Sequence, residues 1–150
     1  MCGVMLRATH VCPVAAPYRL DLTVSVLRRV STNVVDVLTS DGQYVRALGG
    51  SGDPVIARVT QVHAKALAVT LDGDVREHAR SLALVRRLLG VDRDLTHFYD
   101  AAARISWLKP LAERMRGVKP PRYPRYGRRA STRSSSNRSA SLRRARSCAA

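Results

Sequence analysis

The apolar pattern of this 150-residue chain ends at about residue 124. Up to Pro124 the sequence places apolar residues at strand and helix spacing. Residues 125–150 read RYGRRASTRSSSNRSASLRRARSCAA and are dominated by arginine, serine and alanine. A segment with so few apolar residues cannot bury enough surface to offset the conformational entropy lost on folding. The sequence therefore predicts one folded domain before residue 125 and a disordered basic tail over 125–150.

Charge is distributed as unevenly as hydrophobicity. The formal net charge is +15, and residues 119–150 hold ten basic groups and no acidic group. Residues 1–118 hold the other 16 basic groups and all 11 acidic groups, which leaves them a net charge of +5. This asymmetry indicates a polyanionic partner, with nucleic acid the first choice and an anionic membrane the second.

The cysteines indicate neither a disulfide framework nor a zinc site. Cys2, Cys12 and Cys148 are odd in number and form no C-x-x-C pair. No stretch approaches the length of a membrane span, and no clean hydrophobic region of a signal peptide is present. We therefore expect a cytoplasmic protein with reduced thiols, no bound metal and no membrane partner.

The first half of the chain reads mainly as strands. Residues 1–16 show no clear period and are predicted to be a loose leader. The segment YRLDLTVSV (18–26) alternates apolar and polar residues, which predicts a strand with one buried face. Residues 31–42 fit a short helix, and their β-branched content fits a strand almost as well. Three further strands in an antiparallel meander are predicted over 43–48, 53–62 and 65–73.

The period then changes to that of helices. Residues 72–90 predict a long helix with Asp74 and Glu77 at capping-box spacing and Gly90 at its C-terminal end. Its expected core-facing residues are Ala79, Leu82, Val85 and Leu89, with Leu88 beside them. Two shorter helices are predicted over 94–105 and 106–117.

Strands followed by helices predict an α+β fold, with a small antiparallel sheet and helices gathered in the C-terminal half. Aromatic residues make up only 5% of the chain. We expect Phe98 and Trp107 to anchor the two short helices in the core, with stacking on bases the less favoured alternative.

The helical half carries the most specific sequence signal. The segments LGVDRDLTHFY (89–99) and PLAERMRGVKPPRYP (110–124) closely resemble a stretch of the DNA-3-methyladenine glycosylase II family, helix-hairpin-helix enzymes of base-excision repair. In that family the stretch joins an N-terminal domain, a small α+β unit likened to the TATA-binding-protein fold, to a helical catalytic domain. The resemblance implies that 17–90 form this N-terminal domain and that 91–124 form linker helices.

The parts that this family places after the linker are not found here. The family builds a glycine-rich hairpin that binds DNA phosphates and, beyond it, a catalytic aspartate. In this sequence Gly127 is the last glycine and Glu113 the last acidic residue. The resemblance therefore implies a truncated member of a family of enzymes that excise alkylated purines from DNA. It also implies that the reaction needs no metal and no cofactor. We assign no catalytic residue and expect this chain to be inactive.

Two hypotheses account for the composition of residues 125–150. GC-rich coding DNA read out of frame often yields such a mixture of arginine, serine and alanine, so a frameshift near codon 125 is the favoured hypothesis. The other is an evolved tail that binds nucleic acid, although charge runs alone are weak evidence of function.

Most other side chains that could take part in catalysis or metal binding have an ordinary structural explanation. Asp92, Asp94, Asp100 and Glu113 are expected at helix ends or on helix surfaces. His97 lies three residues before Asp100, which favours a local hydrogen bond because two residues do not make a zinc site. The segment GGSGD (49–53) lies between predicted strands, which favours a hairpin turn over a phosphate cradle.

The strongest candidates for DNA-phosphate contact lie around the end of the linker. They are four arginines interleaved with Tyr123 and Tyr126: Arg122, Arg125, Arg128 and Arg129. A solvated linker is the alternative explanation. We expect a monomer that binds DNA in the cytoplasm at the nucleoid. Two alternatives are a nonspecific nucleic-acid-binding module acting through its tail, and a domain that contacts a separately encoded catalytic chain.

Overall fold

The computed structural model describes residues 4–29, 34–49 and 53–122. In this part of the chain five strands form one antiparallel sheet in the order β1-β5-β4-β3-β2, accompanied by four helices. The elements are β1 (Met5–Pro13), α1 (Leu20–Leu27), β2 (Val37–Leu38), β3 (Tyr44–Leu48), β4 (Val55–His63), β5 (Ala66–Asp74), α2 (Val75–Leu89), α3 (Thr96–Ala103) and α4 (Lys109–Arg114). The predicted α+β fold is confirmed. The predicted disorder of 125–150 lies outside the described residues.

Strands β3, β4 and β5 confirm the predicted meander. Tyr44 pairs with Val59, and Val59 pairs with Val69, so these three side chains form one row across the sheet. All three are fully buried, and alternate residues along each strand share their face. Helices α1 and α2 cover this face and enclose the core between them and the sheet.

The first strand corrects the prediction of a loose leader over residues 1–16. Strand β1 pairs with β5 along its whole length, from Met5 opposite Asp74 to Pro13 opposite Ala66. The strand lies at the sheet edge. Its odd-numbered side chains are exposed, and on the other face burial increases along the strand from exposed Leu6 to Cys12, which is 3% exposed. Because apolar Met5 and Val11 lie on the exposed face and His10 lies on the other, no apolar alternation is visible in the sequence, and backbone pairing with β5 holds the strand in place.

Helix α1 overturns the strand predicted over residues 18–26. Its buried side chains recur at helical spacing, i, i+3, i+4 and i+7: Leu20, Thr23, Val24 and Leu27. Thr23 conceals this period because it is polar, yet it is fully buried with its hydroxyl satisfied. The Thr23 hydroxyl donates to the Arg19 carbonyl at 2.8 Å and accepts from the Lys119 backbone N–H at 3.2 Å.

The helix predicted over residues 31–42 is wrong across the part that the structure describes, 34–42. The strand alternative holds for β2, and only at Val37–Leu38. A turn follows, closed by a hydrogen bond of 3.0 Å from the Gly42 backbone N–H to the Thr39 carbonyl. Gly42 has a φ of 81°, which favours glycine.

Helix α2 has the predicted ends and a slightly rotated core face. The Asp74 carboxylate caps its start by accepting from the Arg76 backbone N–H at 3.0 Å. Val85, Leu88 and Leu89 are fully buried, as expected. Ala79, however, is exposed and Leu82 is half-buried, while two polar residues take the buried positions: His78 and Ser81. The His78 ring lies 3.2 Å from the Gly73 carbonyl, so its polar atom is satisfied in the core.

Helices α3 and α4 are shorter than predicted, and their aromatic residues do not anchor them. Trp107 is 72% exposed and Phe98 is 48% exposed, so the prediction that they lie in the core is wrong. The buried contacts of the two helices come instead from the small side chains of Ala102 and Ala112. The larger apolar side chains of this region are exposed: Phe98, Ile105, Trp107, Leu111 and Met115.

Candidate nucleic-acid interface

An arginine-rich cleft lies at the C-terminal end of α2. Its volume is about 400 Å³, and three segments form it: the last turns of α2, the loop that follows, and the extended chain near residue 122. Its lining residues, which we call the arginine cleft, are Ala83, Arg86, Arg87, Gly90, Asp92, Arg93 and Arg122. Of the predicted DNA contacts, the structure places Arg122 here. Arg125, Arg128 and Arg129 lie outside the described residues.

Gly90 allows the extended chain to approach the end of α2. Its φ is 62°, in the left-handed region that favours glycine, and it ends the helix as predicted. A Cβ atom at this position would lie 3.1 Å from the Pro120 carbonyl oxygen and 3.2 Å from the Lys119 Cβ. The Arg122 backbone N–H donates to the Leu88 carbonyl at 3.3 Å. The chain from 119 to 122 is therefore held directly against the helix end.

Lys119 fastens the loop that carries Arg93. Its side chain is fully buried, and Nζ donates to the Arg93 carbonyl oxygen at 2.6 Å. Burial lowers the pKa of Lys119, and the nearby Asp94 carboxylate partly opposes this shift. Lys119 thus fixes the loop and does not present its charge to the cleft.

The cleft holds an excess of positive charge. The Arg86 guanidinium donates to the Asp92 carboxylate in a close ion pair. Among residues 4–29, 34–49 and 53–122, no carboxylate lies within 4.0 Å of the charged groups of Arg87, Arg93 or Arg122. Three of the four guanidinium groups are therefore available to an anion.

The other acidic residues near the helices have the structural roles expected of them. Asp94 accepts from the Thr96 backbone N–H at 2.9 Å and from the Thr96 hydroxyl at 2.7 Å. These hydrogen bonds lower the pKa of Asp94, the hydroxyl contributing most. Asp100 and Glu113 are exposed on α3 and α4.

His97 and the glycine-rich segment 49–53 also have ordinary structural explanations. His97 is exposed on α3, and the described residues contain no group of three or more side chains that could hold a metal ion. The segment 49–53 connects β3 to β4, whose ends pair Leu48 with Val55 as in a hairpin. Residues 50–52 of that segment lie outside the described residues.

A buried ionic cluster that the sequence did not predict lies near the β2 edge of the sheet, on its core-facing side. Asp36 is 2% exposed and Arg46 is 7% exposed, with 2.5 Å between the guanidinium and the carboxylate. The Tyr44 hydroxyl donates to the same carboxylate oxygen at 2.6 Å. Burial, and then this hydrogen bond, raise the pKa of Tyr44. Arg46 occupies a core-facing position in the alternation of β3, which was the detectable signal.

An apolar surface covers much of α3, α4 and the loop between them. We call it the α3–α4 face, and its large exposed side chains are Phe98, Ile105, Trp107, Leu111 and Met115. The ring of Tyr99 lies edge-on to Phe98 at 5.5 Å and beneath the Arg116 guanidinium at 4.7 Å. No helix in the described ranges is long and apolar enough to cross a membrane.

Comparison with known proteins yields a likeness of fold. No family model matches the chain, and neither does any curated protein. Among solved structures, the chain is similar to the 3-methyladenine DNA-glycosylase from Archaeoglobus fulgidus, with a TM-score of 0.58 and 20% sequence identity. The match covers 72% of this chain and 36% of that protein, so it spans little more than a third of the glycosylase. The architecture is therefore that of a small α+β unit consistent with a TATA-binding-protein-like N-terminal domain of a glycosylase.

Proposed function

We propose that this chain is the N-terminal, non-catalytic part of a DNA glycosylase that repairs alkylated purines, of the DNA-3-methyladenine glycosylase II family. The observation that carries this proposal is the coincidence of sequence motif and fold. The family-like segments 89–99 and 110–124 follow a sheet domain whose fold is similar to that of a 3-methyladenine DNA-glycosylase. The sequence motif and the fold likeness support each other, because the two proteins share only 20% identity.

The chemistry of base excision supports the non-catalytic assignment. Such an enzyme hydrolyses the N-glycosidic bond of a damaged purine, holding the flipped base in a pocket and stabilising positive charge that develops on the sugar. Asp92 and Asp94, the carboxylates nearest the arginine cleft, are engaged by Arg86 and Thr96. The cations of the cleft would oppose a positively charged transition state. We propose that the 150-residue chain binds DNA and does not excise a base.

The α3–α4 face suits contact with a further helical part of the enzyme. Its exposed apolar side chains cluster on the segment that, by resemblance, leads toward a catalytic domain, and large exposed apolar patches mark interaction sites. That part would be encoded in an alternative reading frame or on a separate chain.

The nucleotide sequence after codon 124 tests this proposal. We expect an alternative frame that encodes an amphipathic helix, a glutamine pair and a glycine-rich hairpin. Such a frame would support the frameshift hypothesis for residues 125–150. Its absence from every frame would contradict the frameshift and favour an evolved tail.

A second candidate function is nonspecific nucleic-acid binding through the tail. It rests on the eight arginines and the lack of acidic groups in 125–150. Arg122, Arg125, Arg128 and Arg129 would contact phosphates, giving weak, sequence-independent and strongly salt-dependent affinity. Deleting residues 125–150 should then remove most of the binding to undamaged duplex DNA, and unchanged affinity would contradict a dominant role for the tail.

A further inference from the structure

We propose that the arginine cleft is a built site for the backbone phosphates of DNA, separate from the tail, and that Asp92 moderates its affinity. The inference deepens the proposed function, since it takes DNA as the partner. It assigns the contact to Arg87, Arg93 and Arg122 on the folded domain.

The charge of the cleft selects an anion. Four of its seven lining residues are arginines, and the single carboxylate is paired with Arg86. A guanidinium presents a planar fork of N–H donors that matches two oxygens of a phosphate. Arg87, Arg93 and Arg122 have no carboxylate partner in the described ranges, so their donors are open to such oxygens.

The helix dipole explains only part of this arrangement. Arg86 and Arg87 lie in the last turn of α2, where cations offset the partial negative charge of the helix end. Arg93 and Arg122 belong to two other segments and are not needed for that purpose. Their convergence on the same cleft is what points to an external anion.

The cleft is held in shape by backbone contacts. Its loop is closed by bonds from the Val91 N–H to the Arg86 carbonyl at 3.2 Å and from the Arg93 N–H to the Gly90 carbonyl at 3.0 Å. The Arg122 N–H and the Lys119 side chain tie the third segment to the same framework. A site fixed in this way loses less conformational entropy on binding than a site that must be ordered by its ligand.

The lining of the cleft suits a phosphodiester better than a base. Its volume is about 400 Å³, and its lining holds four arginines and no aromatic ring on which a base could stack. Arg87 and Arg122 are exposed, so a continuous strand can pass over the cleft without being enclosed.

Asp92 places one negative charge at this otherwise cationic site. Its pairing with Arg86 withholds that guanidinium from a bound phosphate. Asp92→Asn should release Arg86 and remove the opposing charge, so DNA binding should become tighter. A gain in affinity is informative because a folding defect would not produce it.

The experiment uses the full 150-residue chain and a fluorescently labelled 20-base-pair undamaged duplex, with anisotropy measured across a series of salt concentrations. The weakening variant is the triple Arg87→Gln, Arg93→Gln and Arg122→Gln. Its matched control also removes three exposed positive charges outside the cleft: Arg80→Gln, Arg104→Gln and Arg114→Gln. Asp92→Asn is matched by Asp100→Asn, an exposed acid on α3. Circular dichroism establishes that each variant is folded.

The slope of log K against log salt is negative, and the cleft triple should reduce its magnitude by about two to three, because each lost phosphate contact removes roughly one unit. Asp92→Asn should increase that magnitude by about one, and both controls should change it less than their cleft counterparts. Equal effects of the cleft and control variants, or no DNA binding by the wild-type chain, would overturn the proposal. Cleft-dependent binding to phosphatidylserine vesicles without cleft-dependent DNA binding would also overturn it. Failure of the glycosylase assignment would appear separately, in the reading frames and in base release, and would leave these binding results unaffected.

Discussion

The buried pair of Asp36 and Arg46 makes the sharpest stability prediction. Asp36→Asn keeps the size of the side chain and an oxygen for the Tyr44 hydroxyl, but leaves the Arg46 guanidinium without a counter-charge in the core. Removing one partner of a buried ion pair costs about 3–5 kcal/mol, because the remaining charge is desolvated and unpaired. A domain of this size has a total unfolding free energy of about 5–15 kcal/mol, so the loss should be readily measured.

A second pair in the same sheet provides a matched control. Arg58 and Asp72 lie 3.4 Å apart, with side chains 32% and 43% exposed. Asp72→Asn should therefore cost less than about 1 kcal/mol, as is usual for a solvent-screened pair. The same chemical change thus gives two very different costs, and burial is the structural difference that explains them.

Urea unfolding followed by circular dichroism at 222 nm measures both variants. Trp107 fluorescence is a poor probe because that side chain is already exposed. If Asp36→Asn lowered the unfolding free energy by no more than Asp72→Asn, the assignment of a buried ion pair would be refuted. Adding Arg46→Met to Asp36→Asn should recover part of the loss, because it removes the unpaired charge.

Three further predictions concern α2 and the surface. Leu89→Ala should lower the unfolding free energy by about 2–5 kcal/mol, since Leu89 is fully buried in the core, and an unchanged urea midpoint would contradict the helix face. The side chain and backbone of Arg76 lower the pKa of Asp74 to about 2, so the stability that this carboxylate contributes is present above its usual pKa of 3.8 and lost as pH falls through about 2. Asp74→Asn should therefore lose less stability at low pH than the wild type, as measured by urea unfolding at a series of pH values. A pH dependence identical to that of the wild type would contradict the cap. Trp107→Ser should change the unfolding free energy by less than about 0.5 kcal/mol because the ring is exposed, and a larger loss would show that it packs in the fold.

The elements that could be predicted from sequence are those whose order comes from a local period. Strands β3 to β5 alternate in burial, and α2 carries an N-cap, an apolar stripe and a terminal Gly90, so each was found close to its true bounds. Strand β1 could not be found in this way, because apolar Met5 and Val11 lie on its exposed face and its order comes from backbone pairing with β5. Helix α1 was misread because buried Thr23 interrupts the apolar count.

The site depends even more on contacts that are remote in sequence. The charge of its segment predicted Arg122 as a phosphate contact, and the structure places it in the arginine cleft. Arg87 and Arg93 were not predicted, since nothing local in the sequence places them beside Arg122. The hydrogen bond from Arg122 to Leu88 and the closeness of Gly90 to Pro120 bring these segments together. Phe98 and Trp107 were assigned to the core because large aromatic side chains usually lie there, yet no described element covers them.

The most direct test of the central claim is release of 3-methyladenine from methylated DNA. The purified 150-residue chain should release no more base than a buffer control, because the carboxylates near its arginine cleft are engaged and the cleft itself is cationic. A protein in which the alternative frame after codon 124 is restored should release the base under the same conditions. Base release by the 150-residue chain itself, persisting after removal of trace host glycosylases, would contradict the account.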